Sequence, residues 1–304
     1  MTDTSASPAL KRFSTGNAAL DQHLGGGLLP GTLTVVVGAT GIGKTQWGVS
    51  FAQAGKEQEG KRGVIFDMTS RGDAQSQQEY AQRMYGWKLA AAENGKRPEL
   101  DVFFERLEQA ETPAEYLHVF DVQGRRISRR DLNFDDWQDW KAELAAKLET
   151  SIGFFYGHFV RGVRRVVIDG IEPARQATDS IQLEMFEYIY HQILRKDAEW
   201  VARDLFRQHY RTHSASVAAH LYQPSHIGCA LLYTSHESML DQLIERPLDE
   251  GDLLTNANTI VYLGKIRDGI HLTRALYIAK HRGSYCSDQI HPYTITAEGL
   301  QLVE

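Results

Sequence analysis

Short apolar runs punctuate the chain at residues 33–37, 63–67, 116–121, 166–169 and 227–234. Each is too short for a buried helix and is bounded by glycine or polar residues, so each predicts a buried strand. Segments with helical spacing lie between them. Residues 45–54 place Trp47, Phe51 and Ala54 on one face. Residues 74–85 also read as helix. Residues 134–155 carry Trp137, Trp140, Leu144 and Leu148 at helical spacing, a stripe that reads as core. Residues 184–211 read as one long helical stretch with Phe186, Ile189, Ile193 and Trp200. The tail turns β-rich at 259–263, 273–280 and 290–295. Asp268-Gly269 and Arg282-Gly283 supply turns between those runs. Strands alternating with helices, followed by a meander, predict one α/β domain. Its central sheet is mostly parallel, with a C-terminal antiparallel β meander.

The remaining stretches read as connections. Residues 1–11 are expected to form a flexible arm, and 12–304 the domain. Asn17 caps a short helix with Leu20 and Leu24 inward, and Gly25, Gly26 and Gly27 end it. Residues 87–114 are charged, are broken by Pro98 and Pro113, and read as an elaborated surface segment. Arg125, Arg126, Arg129 and Arg130 crowd a turn at 123–130. With Asp131, Asp135 and Asp136 close by, it reads first as a solvated loop, and alternatively as a phosphate- or subunit-contacting patch. Residues 239–256 are acidic and read as mobile. His209, His213, His220 and His226 match no tight metal-ligand spacing and read as surface histidines.

Composition narrows the function classes. With 304 residues, 42% hydrophobic and 24% charged, the chain can bury a proper core. A formal net charge of −6 gives no general attraction to nucleic acid, although Arg125 to Arg130 and Arg161 to Arg165 leave a local basic groove open. The two cysteines, Cys229 and Cys286, argue against a disulfide framework or zinc site. No apolar run is long enough to span a bilayer. Residues 1–8 lack the apolar core of a signal peptide, so a cytoplasmic protein is expected.

The chemistry concentrates at Gly38-Ala39-Thr40-Gly41-Ile42-Gly43-Lys44-Thr45. This G-x-x-x-x-G-K-T pattern stands between a predicted strand and a predicted helix, the context a phosphate-binding loop requires. Its glycines let backbone N–H groups turn toward an anion, and the helix N-terminus adds positive potential. Thr40, Gly41, Ile42, Gly43, Lys44, Thr45 and Gln46 are therefore the candidate nucleotide contacts. Lys44 would reach the outer phosphates and Thr45 would hold Mg²⁺. Asp169 ends the apolar run Val166-Val167-Ile168 and is the candidate second metal contact. The polar residues Thr234-Ser235-His236-Glu237, at the carboxyl end of another strand, would face the triphosphate.

The order of these features resembles the KaiC-like branch of the RecA superfamily of phosphate-loop ATPases. The resemblance runs through Phe13-Ser14-Thr15-Gly16, Leu20-Asp21, Gly25-Gly26-Gly27, Pro30-Gly31-Thr32-Leu33 and the phosphate loop. It continues through Arg83-Met84-Tyr85-Gly86-Trp87 and Arg164 to Asp169. It closes with Ala279-Lys280-His281-Arg282-Gly283-Ser284 and Pro292-Tyr293-Thr294-Ile295-Thr296. It implies a RecA-like core with insertions at about 87–114 and 201–226. It also implies ATP and Mg²⁺ as ligands, and a homo-oligomer, a hexameric ring or a filament, with ATP at subunit interfaces. In that arrangement Lys280 and Arg282 reach the neighbour's terminal phosphate, and Ser284 and Thr296 contact its nucleotide. Ala297 stands where such proteins often carry an acid.

One departure bears on catalysis. Members of this family carry glutamates after the second strand that polarise the attacking water. Thr69 and Ser70 stand there instead. A hydroxyl is a poor base near neutral pH, and losing a general base costs ~10²–10⁴-fold in rate. Asp67 or Asp73 would have to substitute. The expected activity is ATP hydrolysis to ADP and phosphate, slow or absent, in a regulatory or signalling role. The competing readings are a recombinase-like DNA-binding ATPase and a non-hydrolysing, nucleotide-gated scaffold. A protein partner would dock through the insertions.

Overall fold

The computed structural model describes residues 11–69, 77–93, 96, 98–109, 113–120, 134–172, 180–246 and 253–303. The side chains of 134–143 and 253 are outside that description. Among the described residues, nine strands join one sheet. They are β1 (Leu33–Gly38), β2 (Val64–Asp67), β3 (Tyr116–His118), β4 (Arg165–Ile171), β5 (Gly228–Thr234), β6 (Thr259–Asp268), β7 (His271–His281), β8 (Ile290–Thr296) and β9 (Gly299–Leu302). Their order across the sheet is β3-β2-β4-β5-β1-β6-β7-β8-β9. The strands from β3 to β6 in that order pair in parallel; β6 to β9 pair antiparallel. The mostly parallel sheet and the terminal meander stand as the hydrophobic pattern predicts.

The helices are α1 (Ala18–His23), α2 (Lys44–Gln58), α3 (Gln77–Tyr85), α4 (Phe103–Gln109), α5 (Phe134–Val160), α6 (Ile181–Tyr188), α7 (Ala198–Phe206), α8 (Tyr210–Ala219), α9 (Leu240–Glu245) and α10 (Leu253–Asn256). They cover a sheet whose strands point alternate residues to opposite faces. On one face Leu33, Val35 and Val37 join Phe155, Phe159, Phe186 and Phe206. On the other, Val36 joins Trp47, Phe51 and Trp87. Burying both faces explains why the central strands read as unbroken apolar runs.

Several expectations change. The predicted helix over 184–211 is broken: α6 passes through a π-helical turn at Ile189–Leu194, and Asp197 caps a new helix by accepting from Trp200 N–H at 3.0 Å. The 87–114 stretch is anchored as well as exposed, because Trp87, Leu89, Phe103 and Phe104 are buried. Within 239–256, Leu240, Leu243 and Leu254 are buried, so its helices are tied to the core. His213 stacks on Phe206 at 4.6 Å and His220 packs on Phe104 at 4.9 Å, so neither is a free surface residue. Leu144 and Leu148 pack against the core as the stripe predicts; the side chains of Trp137 and Trp140 fall outside the described residues, as does the arginine turn at 123–130.

Arg165 cannot line a basic groove. It is wholly buried, pairs with Glu59 at 2.7 Å and donates to the carbonyls of Ser14 and Phe51. Its guanidinium lies 4.9 Å from the rings of both Phe13 and Phe51. The charge thus clamps the front motif to β4 and α2. No helix among the described residues is long and apolar enough to cross a membrane.

Candidate nucleotide-binding site

The site lies at the carboxyl ends of β1, β2, β4 and β5, where open α/β sheets bind ligands. β1 delivers the chain into the loop at Gly38, and α2 leaves it at Lys44. Gly41 and Gly43 have φ of +76° and +111°, which a side chain would strain. Gly43 is the N-cap of α2, so the first free N–H groups of that helix face the loop. The loop borders a cavity of about 170 Å³ lined by Thr40, Lys44, Thr45, Gln46, Thr69 and Asp169 among others.

Lys44 is almost fully buried. Its ammonium donates to the carbonyls of Gly38 at 2.8 Å and Ala39 at 3.0 Å. Burial pushes its pKa down to about 8, while the nearby Asp169 carboxylate acts to raise it. Thr45 Oγ1 donates to Asp169 Oδ2 at 2.9 Å. Asp169 Oδ1 accepts from the Gly170 N–H at 2.7 Å. Burial pushes the Asp169 carboxyl up to about 6, and Asp67 adds to that shift; Lys44, Thr45 and Gly170 oppose it. Ile42 supplies backbone: its carbonyl accepts from Tyr293 Oη at 2.7 Å, which ties the loop to β8.

The donor set fits a triphosphate with Mg²⁺. A hydroxyl and a carboxylate converge beside a buried ammonium, and hard oxygen ligands suit that ion. The ammonium and the carboxylate both sit where burial penalises their charge, so a ligand carrying the opposite charges would compensate each. Held by Thr45 and Asp169, Mg²⁺ would supply charge neutralisation to phosphate oxygens.

Asp67 pairs in register with Asp169 across β2 and β4. Its two oxygens accept from Tyr116 Oη at 2.7 Å and Thr69 N–H at 2.8 Å. It is buried and committed to those donors, whereas Thr69 lines the cavity. A register shift in β4 between Ile168 and Ile171 bends the strand beside Asp169, the kind of bulge that re-aims a side chain. At Gly170, φ is +96°, and a Cβ would stand 2.3 Å from the Thr69 backbone nitrogen. Ser70 and Asp73 lie outside the described residues. Of the polar run after β5, Thr234 lines the cavity, Ser235 is buried against Glu237, and His236 is exposed.

The tail residues divide between two edges. Thr34 of β1 is level with Thr259 of β6, which is level with His281 of β7. Lys280 and Arg282 flank His281. They therefore stand at the amino edge of the parallel strands, four residues of β1 away from Gly38, or roughly 13 Å along the strand. There Lys280 Nζ donates to the Thr255 carbonyl at 2.7 Å and Arg282 to the same oxygen at 3.2 Å. Ser284 is at this edge too, its Oγ 2.8 Å from where a Gly25 Cβ would be. Thr296 follows Ile295, whose side chain meets Gly43, so it sits at the edge of its own loop.

Residue spacing does not mark Gln77, Tyr80 or Glu172. Tyr80 and Glu172 line the cavity, and Gln77 contacts Asp169 directly. Their placement depends on where α3 starts and how β4 ends, which no local pattern encodes. Among the described residues, no cluster of histidine, cysteine or acidic side chains could hold a metal by itself.

A family model described as "ATPase: KaiC" matches residues 13–198. The match spans the phosphate loop, β2, β3 and Asp169, and ends before β5 and the tail. No curated protein matches the chain. With its loop, its paired strand-end acids and its sheet order in place, the chain belongs to the KaiC-like ATPase family, a nucleotide-binding family of the RecA superfamily.

Proposed function

We propose that the protein binds MgATP at the loop and assembles through it into a ring or filament. In this reading it hydrolyses ATP slowly and serves as a regulatory or signalling element. Residues 12–304 act as a single ATPase domain, with the insertions free to meet a protein partner. Lys44 and the backbone of Thr40 to Gly43 hold the phosphates, with Gln46 adjoining them. Thr45 and Asp169 hold the metal.

The observation that carries the assembly is the separation of Lys280 and Arg282 from their own loop. Two cations at the amino edge cannot serve a phosphate bound at the carboxyl edge of the same sheet. A neighbouring subunit that brings its loop to them would give the guanidinium fork a phosphate to grip. ATP would then favour the assembled state by its differential affinity. A closed ring satisfies every such head-to-tail interface, and a hexamer is the form the family resemblance favours.

The chemistry is limited by the missing acids. Asp67 is held by Tyr116 and Thr69. A carboxylate with both oxygens already hydrogen-bonded is poorly placed to take a proton from water. Slow turnover suits a protein whose nucleotide state is read out by others. The test is the solution mass of the purified chain with and without MgATP. An oligomer that forms only with nucleotide supports the reading. A chain that stays monomeric at high concentration with MgATP refutes the assembly.

A further inference from the structure

Gln77 opens α3 and is 3% exposed. Its amide nitrogen donates to Asp169 Oδ2, the same oxygen that accepts from Thr45. Its amide oxygen is buried and has no hydrogen-bond partner among the described residues. A buried acceptor left unsatisfied costs about 1–3 kcal/mol, so such groups are seldom retained without a donor for them. Every donor that a glutamine can offer Asp169 is on its nitrogen, so the oxygen is the end turned to something else.

The neighbours narrow what that something is. Asp67 and Asp169 are carboxylates, Thr45 already donates to Asp169, and Thr69 N–H is taken by Asp67. None of these groups donates to the amide oxygen. A water in the shell of a cation held by Thr45 and Asp169 would bring a hydrogen to it. Its hydrogens are polarised by the ion and seek an acceptor. A ligand's outer partners orient it and tune its affinity, and removing one typically costs roughly 10–100-fold in metal binding.

We propose that Gln77 is the positioning residue of the metal site. Its nitrogen holds Asp169 in the orientation that meets the ion, and its oxygen receives a hydrogen from a water of the ion's shell. An amide cannot take up a proton near neutral pH, so Gln77 orders water without serving as a base. That role is compatible with a site that lacks glutamates after β2. The inference rests on the MgATP reading given above.

The experiment measures ATP affinity by calorimetry for the full chain and for Gln77→Leu and Gln77→Glu, each with Mg²⁺ and with excess chelator. Thermal melting without ligand is recorded for all three. Gln77→Leu keeps the volume and removes both polar ends. It is expected to lose roughly tenfold or more of the affinity that Mg²⁺ adds, with metal-free ATP affinity unchanged. Gln77→Glu keeps an acceptor but cannot donate to Asp169 when ionised, and is expected to restore at least part of the Mg²⁺ response. Equal losses with and without Mg²⁺, or an unchanged Mg²⁺ response in a folded Gln77→Leu, would overturn the proposal. If the parent fails to bind ATP at all, the MgATP reading itself has failed, and this inference with it.

Discussion

Asp67 and Asp169 are register partners on adjacent parallel strands, two buried carboxylates side by side at the carboxyl edge of the sheet. Each is stabilised differently. Tyr116 and Thr69 donate to Asp67, one to each oxygen, while Thr45, Gly170 and Gln77 surround Asp169. Burial and the neighbouring carboxylate raise the Asp169 pKa, so its charge is held at a cost. A divalent cation would make such a charge favourable.

The metal role can be separated from a structural one. Asp169→Asn keeps the shape and removes the charge. It should weaken ATP binding in Mg²⁺ by roughly 10–100-fold and leave binding in chelator nearly unchanged. Titrations by calorimetry under the two conditions decide it. Equal loss in both would leave Asp169 as a structural strand end.

Lys44 is the buried cation of the loop. Removing a charge-assisted contact of about 1.5–3 kcal/mol predicts a loss of roughly 10–100-fold in ATP affinity for Lys44→Ala. Fluorescent-nucleotide binding reads this directly. A variant that binds like the parent would show that ATP sits elsewhere.

Turnover should be well below the ~1 s⁻¹ lower end of ordinary enzymes. Phosphate release from purified protein measures it. Tens of turnovers per second would show that Asp67, Asp73 or His236 supplies a base, and single Asn or Ala variants would identify which.

Arg282→Ala should spare ATP binding by isolated subunits and diminish MgATP-driven assembly. Its exposed side chain donates to the Thr255 carbonyl, and its backbone N–H bond to the Asn258 carbonyl survives the substitution, so little folding stability depends on the guanidinium. Mass photometry of parent and variant, with and without MgATP, is the measurement. Identical assembly of the two would remove this residue from the interface.

His158 should make the fold acid-sensitive. Its Nε2 meets the Ala114 carbonyl at 2.9 Å inside the core. Burial pushes its pKa down to about 4 from 6.5, with Arg161 and Lys61 adding to the shift and the Ala114 bond opposing it. The native imidazole is neutral, so the unfolded chain binds the extra proton between those values. Its contribution is complete above pH 6.5 and falls as pH drops toward 4, by up to about 3 kcal/mol. Denaturant melts of the parent and His158→Gln across that range test this. The variant should show a flatter profile, and parallel profiles would exclude His158 as the cause.

The α/β class, the loop and the acid near the end of β4 are legible in the sequence alone. These rest on local chemistry. A buried parallel strand must be an apolar run, and a loop that turns its N–H groups toward a phosphate needs glycine at defined places. The sequence did not disclose the break after α6, the burial of Arg165 or the packing of His213 and His220 on Phe206 and Phe104. Those depend on which surfaces meet, and an arginine or histidine looks the same in solvent as in a core. Only the tertiary structure separated Lys280 and Arg282 from Thr296. That separation follows from strand direction: β7 runs against β1, so its end returns to the amino edge, while β8 comes back to the loop. Gln77 was likewise invisible, because its role depends on the distance between the start of α3 and the end of β4, which close on each other only when the sheet is formed.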